Sequence, residues 1–141
     1  MVFNDQVTVF VVEDDDVDFM TIKRSFAKTR ITNPLVRATN GQQALTMLQN
    51  KAVAYPFVIL LDLKRPKLSG LELLSSIRAD AGLADAVVFI LTTSSDERDI
   101  IRSYQHNVAG YFVKEQAGSH FLDICQVLNG YWQTVHFAAQ G

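Results

Sequence analysis

Four carboxylates in succession, Glu13-Asp14-Asp15-Asp16, close the β-rich run Val9-Phe10-Val11-Val12. Two such charges about 4 Å apart repel by roughly 4 kcal/mol at an effective dielectric of about 20. Taken alone, they form a solvated acidic turn opening a helix, where the macrodipole favours negative charge. With a third acid they form an oxygen-only site suited to a hard cation such as Mg²⁺ or Ca²⁺. Asp62, which ends the run "FVILLD", is the candidate third acid. Alone it would be an aspartate capping a turn; beside Glu13 and Asp14 it completes a Mg²⁺ site that relieves their repulsion. An aspartate carboxylate can also attack phosphorus and form an aspartyl phosphate. That transfer depends mainly on positioning and on neutralising the phosphoryl oxygens. Lys114 offers a compact cation for one oxygen, and the Thr92 hydroxyl a hydrogen bond for another. In isolation they would be a surface lysine and a strand-end threonine.

For these residues to meet, their segments must end at one edge. Runs at 7–12, 35–38, 57–61, 87–91 and 111–113 have strand character and alternate with helical stretches. The runs at 57–61 and 87–91 are continuously apolar, as in strands buried on both faces. Phe19, Ile22 and Phe26 share one face of the first helical stretch, and Asn40-Gly41 opens a second carrying Ala44, Leu45 and Leu48. Ser69–Glu72 and Ser94–Glu97 both show capping-box spacing ahead of apolar residues at helical intervals. A long last helix covers 121–135. Five βα units without a repeat or linker predict one domain over residues 1–141, with parallel strands and helices on both faces. Such sheets bind ligands beyond the carboxyl ends of their strands. Glu13-Asp14, Asp62, Thr92-Thr93 and Lys114 all stand at those ends.

Composition narrows the remaining classes. A chain of 141 residues, 48% hydrophobic and 20% charged, can bury a full core. Its net charge of −2 gives no reason to expect nucleic-acid or membrane binding. There is no basic, apolar leader and no run of transmembrane length, so a cytoplasmic protein is expected. Cys125 is the only cysteine, which excludes an internal disulfide, and its setting "LDICQVL" reads as core. His106, His120 and His136 lack partners at metal-ligand spacing. In the last helix, Phe121, Cys125, Leu128 and Trp132 form one apolar stripe, and Ile124, Val127, Tyr131 and Val135 another. One stripe suffices to cover a sheet. The second predicts a partner, with packing by the chain's own tail as the competing expectation.

The segments "VVEDD" (11–15), "LLDLKRPKLSGLELL" (60–74), "FILTTS" (89–94) and "GYFVK" (110–114) resemble, in order and spacing, the receiver domains of two-component response regulators. The resemblance covers essentially the whole chain. "VEDDDVD", "LTTSSDERDI" and the aromatic "GYW" near the C-terminus narrow it to stand-alone regulators paired with phytochrome-type histidine kinases. It implies a doubly wound (βα)5 fold with the flavodoxin-like strand order 2-1-3-4-5 and no output domain, hence no DNA binding. It implies that Asp62 accepts a phosphoryl group from a kinase phosphohistidine. Glu13, Asp14, Asp62 and the backbone carbonyl of Lys64 would hold Mg²⁺, with Asp14 the direct ligand of the acidic pair. Thr92 matches the switch hydroxyl, Tyr111 the switch aromatic and Lys114 the phosphate-sensing lysine. The implied protein is a phospho-accepting switch rather than an enzyme, one that assists its own phosphoryl transfer and dephosphorylation. A homodimer through the face of the fourth helix, fifth strand and fifth helix follows from the surplus stripe.

One residue departs from the family pattern. The family usually follows its lysine with proline through a cis peptide, whereas Glu115 follows Lys114 here. A non-proline cis bond costs about 3–4 kcal/mol, so a trans bond is expected, with Lys114 still reaching the site. Glu115 also sustains the alternative of a receiver-like scaffold that works without phosphorylation. The basic loop "KRPK" (64–67) is expected to be solvated rather than in contact with phosphate. An aspartate-nucleophile phosphatase using Asp14 and Asp16 would need a second acidic pair at a strand end after the lysine. Only Glu115 and Asp123 remain there, and no segment is available for a substrate cap.

Overall fold

Each β-rich run of the sequence becomes a strand, and the strands pair in parallel. The computed structural model describes residues 7–63, 69–118 and 121–138. Along them run β1 (Thr8–Val12), α1 (Asp16–Lys28), β2 (Leu35–Ala38), α2 (Gly41–Gln49), β3 (Phe57–Leu61), α3 (Gly70–Ala79), β4 (Val87–Thr92), α4 (Glu97–Gln105), β5 (Gly110–Val113) and α5 (Leu122–Thr134). The sheet order is β2-β1-β3-β4-β5, the expected flavodoxin-like topology. No helix among the described residues is long and apolar enough to cross a membrane.

The two-residue alternation of the strands divides the core into two layers. Phe10, Val12, Ile59, Leu61, Val88 and Ile90 face one layer with Leu48, Leu73, Leu74 and Ile77 of α2 and α3. Val9, Val11, Val58, Leu60, Phe89 and Leu91 face the other with Ile22 and Phe26 of α1 and Leu128 and Trp132 of α5. Both sides of β1 and β3 are therefore buried, which is why β3 is apolar throughout and β1 from Val9 onward.

Register carries the chemistry-bearing residues to one edge. Val12 pairs with Leu61, so Glu13 and Asp62 emerge side by side, and the Asp62 amide donates to the Val12 carbonyl at 3.1 Å. Thr92 pairs with Val113, the residue before Lys114. Gly70 lets α3 begin against the end of β3: a Cβ there would meet Leu63 Cα at 2.5 Å and the Asp62 carbonyl oxygen at 2.8 Å.

Two sequence expectations change. The Ser69–Glu72 capping box forms, but the Ser94–Glu97 box does not. Asp96 caps α4 by accepting from the Arg98 amide, and Ser94, buried in the loop after β4, turns its hydroxyl to Asp99 Oδ2 at 2.6 Å. The second apolar stripe of α5 is also half covered. Ile124 joins Cys125, Leu128 and Trp132 in the core, because these positions together make one broad face at a 3.6-residue period. Tyr131 packs edge-on against Phe89 with ring centroids 5.2 Å apart, and Phe137 from the tail packs on Tyr131 at 6.3 Å. The Tyr55 hydroxyl donates to the Ala138 carbonyl, tying the tail down. The core thus takes Ile124 and the tail covers Tyr131, two of the four residues expected to await a partner. Val127 and Val135 alone of the four stripe residues remain exposed.

Candidate functional site

Lys114 is the hub of the carboxyl edge. Its ammonium lies 2.7 Å from Glu13 Oε1, 2.7 Å from Asp18 Oδ2 and 2.9 Å from Asp62 Oδ2. The Glu13, Asp62 and Lys114 side chains are buried, at 2%, 7% and 9% exposure, whereas Asp14 is exposed. Lys114–Glu115 is trans, the cis peptide among the described residues being Tyr55–Pro56. Lys114 opens a single 3-10 turn through Gln116, and its side chain spans from there to Asp62. The expectation that Glu115 would leave a trans bond without misdirecting the lysine therefore holds.

Burial pushes Glu13 up to about 7, against the opposing hydrogen bond from Lys114, and the nearby Asp62 charge adds to the rise. Burial would lower the Lys114 ammonium, but its hydrogen bonds to Asp18, Glu13 and Asp62 outweigh this and hold it above its ordinary value. Glu13 is fixed further by its own backbone. Its Oε2 accepts the Asp15 amide at 3.2 Å, and its carbonyl accepts Arg37 Nε at 3.0 Å. Arg37 also pairs with Asp16 at 2.8 Å and lies over the Phe19 ring, 4.8 Å from its centroid.

Glu13, Asp14 and Asp62 each offer a carboxylate oxygen, and these oxygens lie within 4.8 Å of one another. Metal–oxygen distances for hard divalent ions are about 2.0–2.6 Å, so small side-chain rotations suffice to close this set on one ion. The donors are all oxygens and surplus negative charge remains after Lys114 is counted, so the residues fit a divalent cation. The Lys64 carbonyl expected in this set lies outside the described residues, as do His120 and the 64–67 loop.

Thr92 is fully buried at the end of β4, where its hydroxyl accepts the Ser94 amide at 3.4 Å. Tyr111 is half-buried on β5, and its hydroxyl donates to the Ser94 carbonyl at 2.8 Å. Ser94 bonds in turn to Asp99 in the first turn of α4. Thr92 and Tyr111 are thereby joined through one loop residue to α4. Burial raises the Tyr111 phenol above its usual range.

Asp18 is the site residue that sequence reasoning missed. It sits three residues after Asp15, the cap of α1, where an acid reads as a helix-terminus charge. The signal that could have drawn attention was the fifth acid in "EDDDVD", two residues beyond the run of four.

The profile of the response regulator receiver domain matches residues 9–126. FilR2, a probable methanogenesis regulatory protein of Methanothrix harundinacea, is 30% identical over 131 residues, covering 91% of this chain and 84% of that protein. Response regulator Rcp1 of Synechocystis is 29% identical over 133 residues, covering 92% of this chain and 90% of Rcp1. The crystal structure of the Mn²⁺-bound form of Rcp1 superposes with a TM-score of 0.82 at 30% identity, covering 94% of this chain and 99% of that one. The phosphorylated cyanobacterial phytochrome response regulator RcpA superposes with a TM-score of 0.77 at 29% identity, covering 92% of this chain and 95% of that one.

Proposed function

Since this chain belongs to the response regulator receiver domain family, we propose that it carries a phosphoryl group on Asp62, received from the phosphohistidine of a phytochrome-type histidine kinase. Homology to Rcp1 and RcpA is consistent with phosphoryl acceptance in a two-component pathway. The observation that carries the assignment to Asp62 is the meeting of Glu13, Asp62 and Lys114 at the carboxyl ends of β1, β3 and β5. A kinase of this kind presents its phosphohistidine in the cytoplasm, where this protein would act.

In the transfer, an Asp62 carboxylate oxygen forms a bond to phosphorus while the bond from phosphorus to the kinase imidazole nitrogen breaks. The electron pair of that bond stays on the imidazole, and the product is an aspartyl phosphate. A divalent cation held by Glu13, Asp14, Asp62 and the Lys64 carbonyl would supply charge neutralisation for the phosphoryl oxygens. Mg²⁺ is the ion we assign. Lys114 gives its ammonium to one phosphoryl oxygen, and the Thr92 hydroxyl hydrogen-bonds another. The same groups assist hydrolysis, in which water attacks phosphorus and restores the Asp62 carboxylate. Asp62 modification draws Thr92 toward the phosphoryl group, and Tyr111 settles further inward. The loop through Ser94 passes the change to α4, a local charge event biasing a two-state surface. That surface, formed by α4, β5 and α5, is the one through which we propose two copies pair.

The test is labelling by a small phosphodonor with Mg²⁺. Wild type should acquire a phosphate labile in strong acid and in base and cleaved by hydroxylamine, as an acyl phosphate is, and Asp62→Asn none. Full labelling of Asp62→Asn would remove the assignment.

A further inference from the structure

We propose that Asp18 is a positioning residue for Lys114, holding the ammonium in the site through a contact that a bound divalent cation leaves intact. The inference rests on the reading of Lys114 as the cation for a phosphoryl oxygen. A lysine ammonium has three donors and no acceptor. Glu13, Asp18 and Asp62 take them at 2.7, 2.7 and 2.9 Å. Two of these acceptors, Glu13 and Asp62, belong with Asp14 to the acidic cluster, whereas Asp18 does not. A cation on that cluster competes with Lys114 for Glu13 and Asp62 oxygens. Asp18 stands outside the competition and keeps Nζ in place. The donor given up by Glu13 then becomes available to a phosphoryl oxygen.

Local structure explains why Asp18 is free for this task. Asp15 caps α1 and accepts the Asp18 amide at 3.0 Å. In a reciprocal capping box, the side chain at position 18 would turn back to the Asp15 amide. Glu13 Oε2 takes that amide instead, at 3.2 Å. The Asp18 carboxylate therefore reaches across to Lys114, 96 residues further along the chain. An exposed ion pair would do little, but the Lys114 side chain is only 9% exposed and that of Asp18 26%.

Two measurements test this. In crystals of the full chain loaded with Mn²⁺, Nζ should remain within hydrogen-bond distance of Asp18. Retention of Glu13 with loss of Asp18 would overturn the proposal. Phosphorylation by acetyl phosphate at saturating Mg²⁺ should slow about tenfold in Asp18→Asn, as when a partner orienting a functional group is removed. Asp18→Glu should recover part of the rate. In a Lys114→Ala background, Asp18→Asn should add no further loss; an equal loss in both backgrounds would show that Asp18 acts without Lys114, which also overturns the proposal. A wild type that takes no label refutes the assignment of Asp62 instead, and the Mn²⁺ crystals then decide the role of Asp18.

Discussion

Lys114 Nζ lies 2.7 Å from Glu13 Oε1, and both side chains are almost wholly withdrawn from solvent. Breaking such a buried pair from one side leaves a carboxylate without compensation. We expect Lys114→Ala to destabilise the protein by about 3 kcal/mol when divalent cations are removed. Urea unfolding in the presence of EDTA measures this, and a loss well below 1 kcal/mol would show that Lys114 is not a structural counter-charge.

Cation binding gives a second, independent readout. A ligand that binds the folded state stabilises it by about 2.7 kcal/mol at one hundred times its dissociation constant. Mg²⁺ or Mn²⁺ should therefore raise the melting temperature of the wild type. Asp14 is exposed and outside the Lys114 cluster, so Asp14→Asn should unfold like the wild type without cations and lose most of the cation-dependent rise. An undiminished rise in Asp14→Asn would remove Asp14 from the ligand set.

Gly70 tests how closely the helix after β3 must approach the phospho-acceptor. A Cβ at this position would lie 2.5 Å from Leu63 Cα and 2.8 Å from the Asp62 carbonyl oxygen, and backbone atoms must shift to admit it. Gly70→Ala should cost about 1–3 kcal/mol, the range for overpacking. It should also slow labelling of Asp62 in the fraction that stays folded. Stability and labelling both equal to wild type would show that the junction yields freely.

The sequence revealed much of this arrangement because it depends on alternation and strand ends. The runs at 57–61 and 35–38 become β3 and β2 with unchanged limits, and Glu13, Asp62 and Lys114 meet because register aligns their strands. What escaped depends on choices between equivalent local partners. Ser94 has capping-box spacing to Glu97, but Asp96 stands nearer the helix and takes the cap. Asp18 looked like a helix-terminus charge because its partner lies 96 residues away. The two stripes of α5 merge because Ile124 and Tyr131 flank Cys125, Leu128 and Trp132 on one broad face at the 3.6-residue period.

That last correction changes where two copies would meet. Tyr131 is engaged by Phe89 and Phe137, and Trp132 is buried against Phe26, so neither is available as an anchor. Apolar residues remain exposed on α4, where Ile101 is 49% and Tyr104 50% exposed, three residues apart on one helical face. On α5, Val127 is 46% exposed. A stable contact needs about 1,000 Å² of buried surface, with an aromatic anchor near its centre. Tyr104 is the residue placed to serve, and a two-fold axis would set the same patch of each copy against the other. Light scattering at micromolar protein should give the mass of a dimer for the wild type. An Ile101→Glu, Tyr104→Ala variant should be monomeric with unchanged stability, because both side chains are half exposed. Substituting Tyr131 would instead damage the core. A wild type that stays monomeric, phosphorylated or not, excludes the dimer, and a variant that still dimerises moves the contact away from α4.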